Sequence, residues 1–170
     1  MRLDVPGPAA MEGFGRELAA GLRAGDLVVL TGPLGAGKTT LTRGIGEGLR
    51  VRGPVQSPTF VLARTHPSLA GGPPLVHVDA YRLGSAMLLD DLDLDFDHSV
   101  VVVEWGAGLL DDVSESWLEI VIERPTGAGA GDDAMTDAAD AEELGGDEPR
   151  TLEVRGHGPR WAASPYAAAE

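Results

Sequence analysis

The chain has 170 residues, a formal net charge of −14, 43% hydrophobic residues, only 5% aromatic ones and no cysteine. That length suits one domain, and the apolar fraction suffices for a core built mainly from Val, Leu and Ala. The lack of cysteine excludes disulfides, thiolate chemistry and Cys-based metal sites and points to the reducing cytosol. The excess of acids excludes an independent grip on a phosphate backbone, so no direct DNA binding is expected.

Met1 to Ala10 carries no basic region followed by an apolar run, so no secretory signal is predicted. No apolar stretch is long enough to cross a bilayer, so no membrane association is expected. Residues 8–23 place Ala9, Phe14, Leu18 and Leu22 at helical spacing, with Gly25-Asp26 as the stop. Leu27 to Leu30 is continuously apolar, as a buried parallel strand should be. A Gly-rich loop follows, and Thr39 to Leu49 is predicted as a helix. Gly44, Gly46 and Gly48 each weaken that helix by about 1 kcal/mol relative to alanine.

Thr59 to Arg64 and Leu75 to Asp79 are predicted as strands joined by a Pro/Gly turn at 67–74. Leu83 to Asp97 is predicted as a helix leading into a loop. Val100 to Val103 is a second fully apolar strand, ending at Glu104-Trp105. Trp117 to Glu123 alternates apolar and polar residues, as a strand with one wet face does. Thr151 to Arg155 alternates likewise and is expected to pair with it as a hairpin. Between them, residues 125–150 hold eight acids against one base, half of the net charge. Their Gly, Ala and acid composition predicts a disordered insertion, either a tolerated hairpin loop or an acidic interaction arm. Residues 160–170 read as a loose tail in which Trp161 and Tyr166 either pack back or stay free.

The strongest local signal is Gly32-Pro33-Leu34-Gly35-Ala36-Gly37-Lys38-Thr39, which meets the phosphate-loop pattern at every fixed position. It sits between a predicted strand and a predicted helix, the context such a loop needs. Lys38 is the only lysine in the chain, and a compact ammonium suits phosphate oxygens as a point charge. Gly32, Gly35, Ala36 and Gly37 let backbone N–H groups converge on an anion, and the following helix turns its positive end, with Thr39 and Thr40, to the same place. Lys38 is expected on the β- and γ-phosphates, and the Thr39 hydroxyl on Mg²⁺.

Mg²⁺ also needs a carboxylate near the phosphates. Two acids end apolar strands, Asp79 and Glu104. The purer strand favours Glu104 as the metal-side acid and leaves Asp79 to hold a metal-bound water, to orient the attacking water, or merely to cap its strand. Ser57-Pro58-Thr59-Phe60 reads either as a γ-phosphate switch or as an ordinary turn into a strand. His77 reads as a satisfied core or edge histidine. Arg82 either stabilises transferring charge or pairs with one of the acids at 90–97, and those acids read as a solvated face or as a Mg²⁺ or partner patch. Trp105 reads as a packing anchor or a lid. The chain contains no asparagine, so the Asn-Lys-x-Asp element that reads guanine is absent in its usual form, and ATP is the expected nucleotide.

Taken together, Gly35-Ala36-Gly37-Lys38-Thr39-Thr40, Ser57-Pro58-Thr59-Phe60, His77-Val78-Asp79-Ala80-Tyr81-Arg82 and Glu104-Trp105 resemble the TsaE (YjeE) family over about residues 8–124. The resemblance implies an ATPase of tRNA threonylcarbamoyladenosine synthesis, effective only with a TsaB–TsaD pair, and meeting tRNA only through that complex. It implies that Thr39 and Glu104 hold Mg²⁺, that Asp79 matters for activity, and that Ser57-Pro58-Thr59 acts as a switch near the γ-phosphate. In this chain Pro33 stands where the family usually has Asp, which removes a carboxylate and a backbone N–H from the loop.

The expectation is thus a single α/β domain of the phosphate-loop NTPase type, three-layered. Its central sheet is mixed and mainly parallel, with an antiparallel C-terminal edge formed by 117–123 and 151–155. Lys38, Thr59, Asp79 and Glu104 are the expected catalytic residues, and Ser57 joins the loop residues in binding nucleotide. The alternatives are a small-molecule kinase and a scaffold gated by bound nucleotide without hydrolysis.

Overall fold

The structure is a computed structural model that describes residues 1–58, 61–82, 93–108, 110, 113–125 and 148–168, without the side chain of Arg82. Seven strands form one sheet: β1 Arg2–Val5, β2 Leu27–Thr31, β3 Ala63–His66, β4 Leu75–Asp79, β5 Val100–Glu104, β6 Trp117–Glu123 and β7 Arg150–His157. Their order across the sheet is β1-β7-β6-β2-β5-β4-β3. The middle strands β6, β2, β5 and β4 run parallel, while β3, β7 and β1 are added antiparallel. This is the mixed, mainly parallel α/β sheet that the sequence predicts.

The antiparallel side lies one strand further out than the sequence suggests. β6 hydrogen-bonds parallel to β2 as well as antiparallel to β7, and the outermost strand is β1. Alternation in β6 shows only that one of its faces is wet. It does not say whether the strand has one neighbour or two. Leu118, Ile120 and Ile122 are buried on the face shared with Leu152 and Val154.

Two helices, α1 Pro8–Ala19 and α2 Lys38–Gly48, cover that face. Their core is shared with Val28, Leu30, Leu75, Val100 and Val102. α1 ends four residues before the predicted limit, and the chain turns back through Leu22 and Asp26 by short-range backbone bonds. The glycines of α2 are explained by the contact with α1. A Cβ on Gly44 would collide with the Glu12 backbone, and one on Gly48 would lie 2.5 Å from the Ala19 Cβ. Gly46 faces Val55, Val51 and Leu75 instead. The opposite face of the sheet buries Leu27, Val29, Val76, Val78, Val101 and Val103 under Leu62, Leu94, Phe96 and Leu110.

Two further expectations change. The strand predicted over Thr59 to Arg64 is observed as β3 Ala63–His66; ahead of it the Pro58 carbonyl accepts the N–H groups of both Val61 and Leu62, which keeps them out of the ladder. Leu62 lies in the left-handed region at φ 66°. In the tail read as loose, the aromatic residues take the packed alternative: Trp161 is 3% exposed within the helix-side core, with Tyr166 partly buried against it. Arg160 holds Asp26 with a two-pronged ion pair at 2.9 and 3.0 Å. The small residues that make this segment look loose do not count against an aromatic side chain and a guanidinium that each find a partner. Of the segment Leu83 to Asp97, predicted as a helix leading into a loop, residues 83–92 lie outside the described residues, as does most of the acidic insertion, 126–147. The insertion was drawn to residue 150, but Arg150 already belongs to β7.

Candidate phosphate-binding site

β2 ends at Thr31 and α2 begins at Lys38, so the six residues between them form the loop at the carboxyl end of the sheet. Gly35 and Gly37 adopt φ of 73° and 103°, which side chains with a Cβ rarely tolerate. Gly32 packs so tightly that a Cβ there would lie 2.8 Å from the Ile122 carbonyl oxygen. Lys38 is fully buried, and its Nζ donates to the carbonyl oxygens of Gly32 and Pro33, each at 3.0 Å. The Pro33 carbonyl also accepts the Ala36 N–H at 3.1 Å. Proline at this position therefore still supplies a structural acceptor, although it lacks the polar side chain. Leu41 N–H bonds to Gly37 O at 2.9 Å, which starts the helix directly on the last loop glycine.

The structure brings Thr39 and Glu104 together. The Thr39 hydroxyl donates to Glu104 Oε1 at 3.0 Å, and both residues are buried. His77, read from sequence as a satisfied core or edge histidine, donates from Nε2 to the same oxygen at 2.6 Å. The signal that would have found this partner is the parallel register of β4 and β5. His77 pairs with Val102 and Asp79 with Glu104, so His77 lies two residues behind Glu104 on the neighbouring strand. Asp79 thus ends its strand level with Glu104. Its Oδ1 accepts the Tyr81 N–H at 3.0 Å, which caps the 3-10 turn Ala80–Arg82.

Trp105 follows Glu104 with φ 62°, and its ring centre lies 4.1 Å from Lys38 Nζ. Tyr81 meets the same ring edge-on at 5.3 Å. Thr40 is half-buried on the first turn of α2, and Ser57 is half-buried in the segment that follows it. Thr59, Phe60 and the Arg82 side chain lie outside the described residues. So do Asp90 and Asp91 of the acidic run, while Asp95 accepts from the exposed His98.

A cleft of about 1020 Å³ opens beside the loop between Thr31, Gly32, Trp105, Ile122, Arg124 and Arg150. Its arginines are already paired with acids. Arg2 meets Glu123 at 3.5 Å, and Arg124 and Arg150 meet Glu148 at 3.2 and 3.4 Å. Among the described residues no group of three or more His, Asp or Glu side chains could hold a metal ion. The oxygen donors of Thr39 and Glu104 are nevertheless the hard ligands that Mg²⁺ takes in pairs, completing its shell with phosphates and water. The residues present therefore fit that ion.

A mainly parallel sheet with a glycine loop, a buried lysine and an acid-ended neighbouring strand defines a protein of the phosphate-loop α/β class. A family model described as "Threonylcarbamoyl adenosine biosynthesis protein TsaE" matches residues 5–130. The chain is 54% identical over 157 residues to the tRNA threonylcarbamoyladenosine biosynthesis protein TsaE of Streptomyces coelicolor, covering 91% of this chain and 95% of that one. It is 37% identical over 129 residues to the Bacillus subtilis protein of the same name, covering 74% and 76% of the two chains. The crystal structure of B. subtilis YdiB superposes with a TM-score of 0.64 at 27% identity, covering 94% of this chain and 86% of that one. The chain belongs to the TsaE family. Among the described residues no helix is long and apolar enough to cross a membrane.

Proposed function

We propose that the protein binds and hydrolyses ATP in support of tRNA threonylcarbamoyladenosine biosynthesis, acting in the cytoplasm with a TsaB–TsaD pair. The names of its relatives support the pathway. The observation that carries the chemistry is the buried Thr39–Glu104 pair, 3.0 Å apart at the mouth of a loop that begins and ends in glycine.

The loop amides and the N-terminal end of α2 hold the phosphates, and the Lys38 ammonium offsets their charge. The neighbouring cleft offers room for the nucleoside. Thr39 and Glu104 hold magnesium, which when bound neutralises phosphate charge and acts as a Lewis acid. Asp79, level with Glu104, orients the attacking water, and Ser57 and Thr59 sense the γ-phosphate. Catalysis is positioning plus charge neutralisation, with water as acceptor.

Dependence on the partner is supported by the cleft's arginines. Arg2, Arg124 and Arg150 are each paired with a carboxylate and so are not poised to meet charge on a transferring phosphoryl group. Phosphate release from ATP, measured for the chain alone and with the TsaB–TsaD pair, tests this. The expected result is slow turnover alone and a large gain in the mixture. Full activity of the isolated chain contradicts partner dependence, and transfer of phosphate to a small molecule instead of water contradicts hydrolysis.

A further inference from the structure

We infer that His77 is a positioning residue: its Nε2–H holds the Glu104 carboxylate in the orientation from which Glu104 meets a magnesium ion. The inference rests on the nucleotide reading above and adds a residue to that site. His77 is the one polar side chain among the first four residues of β4, whose sequence is otherwise Leu75, Val76 and Val78, and it is fully buried. Burying an imidazole is unfavourable unless it is hydrogen-bonded. A carboxylate can only accept, so Nε2 carries a proton and donates to Glu104 Oε1 at 2.6 Å, the length of a charge-assisted bond. Nδ1 is buried and has no partner among the described residues, so the contact with Glu104 is the ring's only polar bond there.

The position of the contact matters as much as its length. The parallel register sets His77 opposite Val102, two residues behind Glu104, so the imidazole braces the carboxylate from within the sheet. Thr39 approaches the same Oε1 from the first turn of α2. The Thr39 hydroxyl is itself a candidate ligand through its oxygen, and turning that oxygen to a metal ion sets a hydroxyl geometry that need not keep the present bond to Oε1. The His77 bond makes no such demand and persists. Partners of metal ligands orient them in this way, and losing one typically weakens metal binding 10–100-fold.

The test uses the full chain, a fluorescent N-methylanthraniloyl ADP and Mn²⁺ as the probe ion. His77→Leu removes the donor, and His77→Gln restores an amide N–H near the position of Nε2. The expected result is unchanged binding of the analogue in EDTA for all three proteins. Mn²⁺ affinity of the nucleotide complex should fall about tenfold or more in His77→Leu and recover most of the way in His77→Gln. Unchanged Mn²⁺ affinity in a folded His77→Leu, or no recovery with Gln, overturns the role of His77. Failure of the wild-type chain to bind the analogue under any condition overturns the nucleotide reading instead. If His77→Leu does not fold, nitrogen-15 histidine NMR of the wild type decides. The His77 Nε2–H resonance should stay protected from solvent exchange when Mg²⁺ and ADP are added, and its loss overturns the proposal.

Discussion

Lys38 Nζ lies 4.1 Å from the centre of the Trp105 ring, so the chain's only lysine and the aromatic residue after Glu104 share one small space. A cation over an indole face is held by the ring's quadrupole. Any anion that engages Lys38 changes the field at that ring. The other two tryptophans are placed elsewhere, Trp117 stacked on His157 and Trp161 buried in the core. Addition of ADP should therefore change the intrinsic tryptophan emission, and Trp105→Phe should abolish the change while leaving nucleotide affinity measurable by calorimetry.

Glu104→Gln keeps an oxygen that can accept from both His77 and Thr39, so the fold should survive with a near-normal melting temperature. The lost charge should lower metal-dependent ATP turnover by about 10²–10³-fold, the scale for removing one preorganised electrostatic group. Phosphate release in the presence of the TsaB–TsaD pair measures it. Turnover at the wild-type level would dissociate Glu104 from the chemistry.

Gly44→Ala sets two effects against each other. Alanine gains about 1 kcal/mol of helix propensity over glycine. The added methyl, however, would strike the Glu12 backbone of α1, which cannot yield as a flexible side chain can. Overpacking typically costs about 1–3 kcal/mol and more against backbone. Net destabilisation is expected in urea unfolding, and a stabilised variant would show that the helices can separate at little cost.

Arg160→Ala should detach the C-terminal segment from the turn after α1. It removes both prongs on Asp26 and a bond to the Gly21 carbonyl, and among the described residues leaves the buried carboxylate with the Arg23 N–H alone. Because Arg160 is partly solvated, a loss of about 2 kcal/mol is expected rather than the full cost of breaking a buried pair. Limited proteolysis after residue 157 should quicken in parallel.

His66 makes stability depend on pH. Burial holds its pKa below the ordinary 6.5, with His77 and Arg64 adding to the lowering and a bond to the Arg52 carbonyl opposing it. The unfolded chain then binds this proton more readily than the native one. The contribution is complete above pH 6.5 and is lost as pH falls from there toward the native value. Unfolding free energies compared at about pH 7.5 and about pH 5.5 should drop more in the wild type than in His66→Gln.

The sequence by itself determined the loop, the two buried strands and the acids at their ends. These are features of local backbone chemistry: glycines where an amide cradle needs them, a single ammonium, and apolar runs four residues long. The alternating residues of β6 likewise revealed a wet face. Which strands stand beside β6, that Arg2–Val5 closes the sheet, and that Trp161 folds into the core were decided only by tertiary structure. The same holds for the meeting of Thr39, His77 and Glu104 on one carboxylate oxygen. Those residues are 27 to 65 positions distant from Glu104 along the chain. Only strand order and parallel register, properties of the assembled sheet rather than of any one segment, bring them within hydrogen-bonding reach.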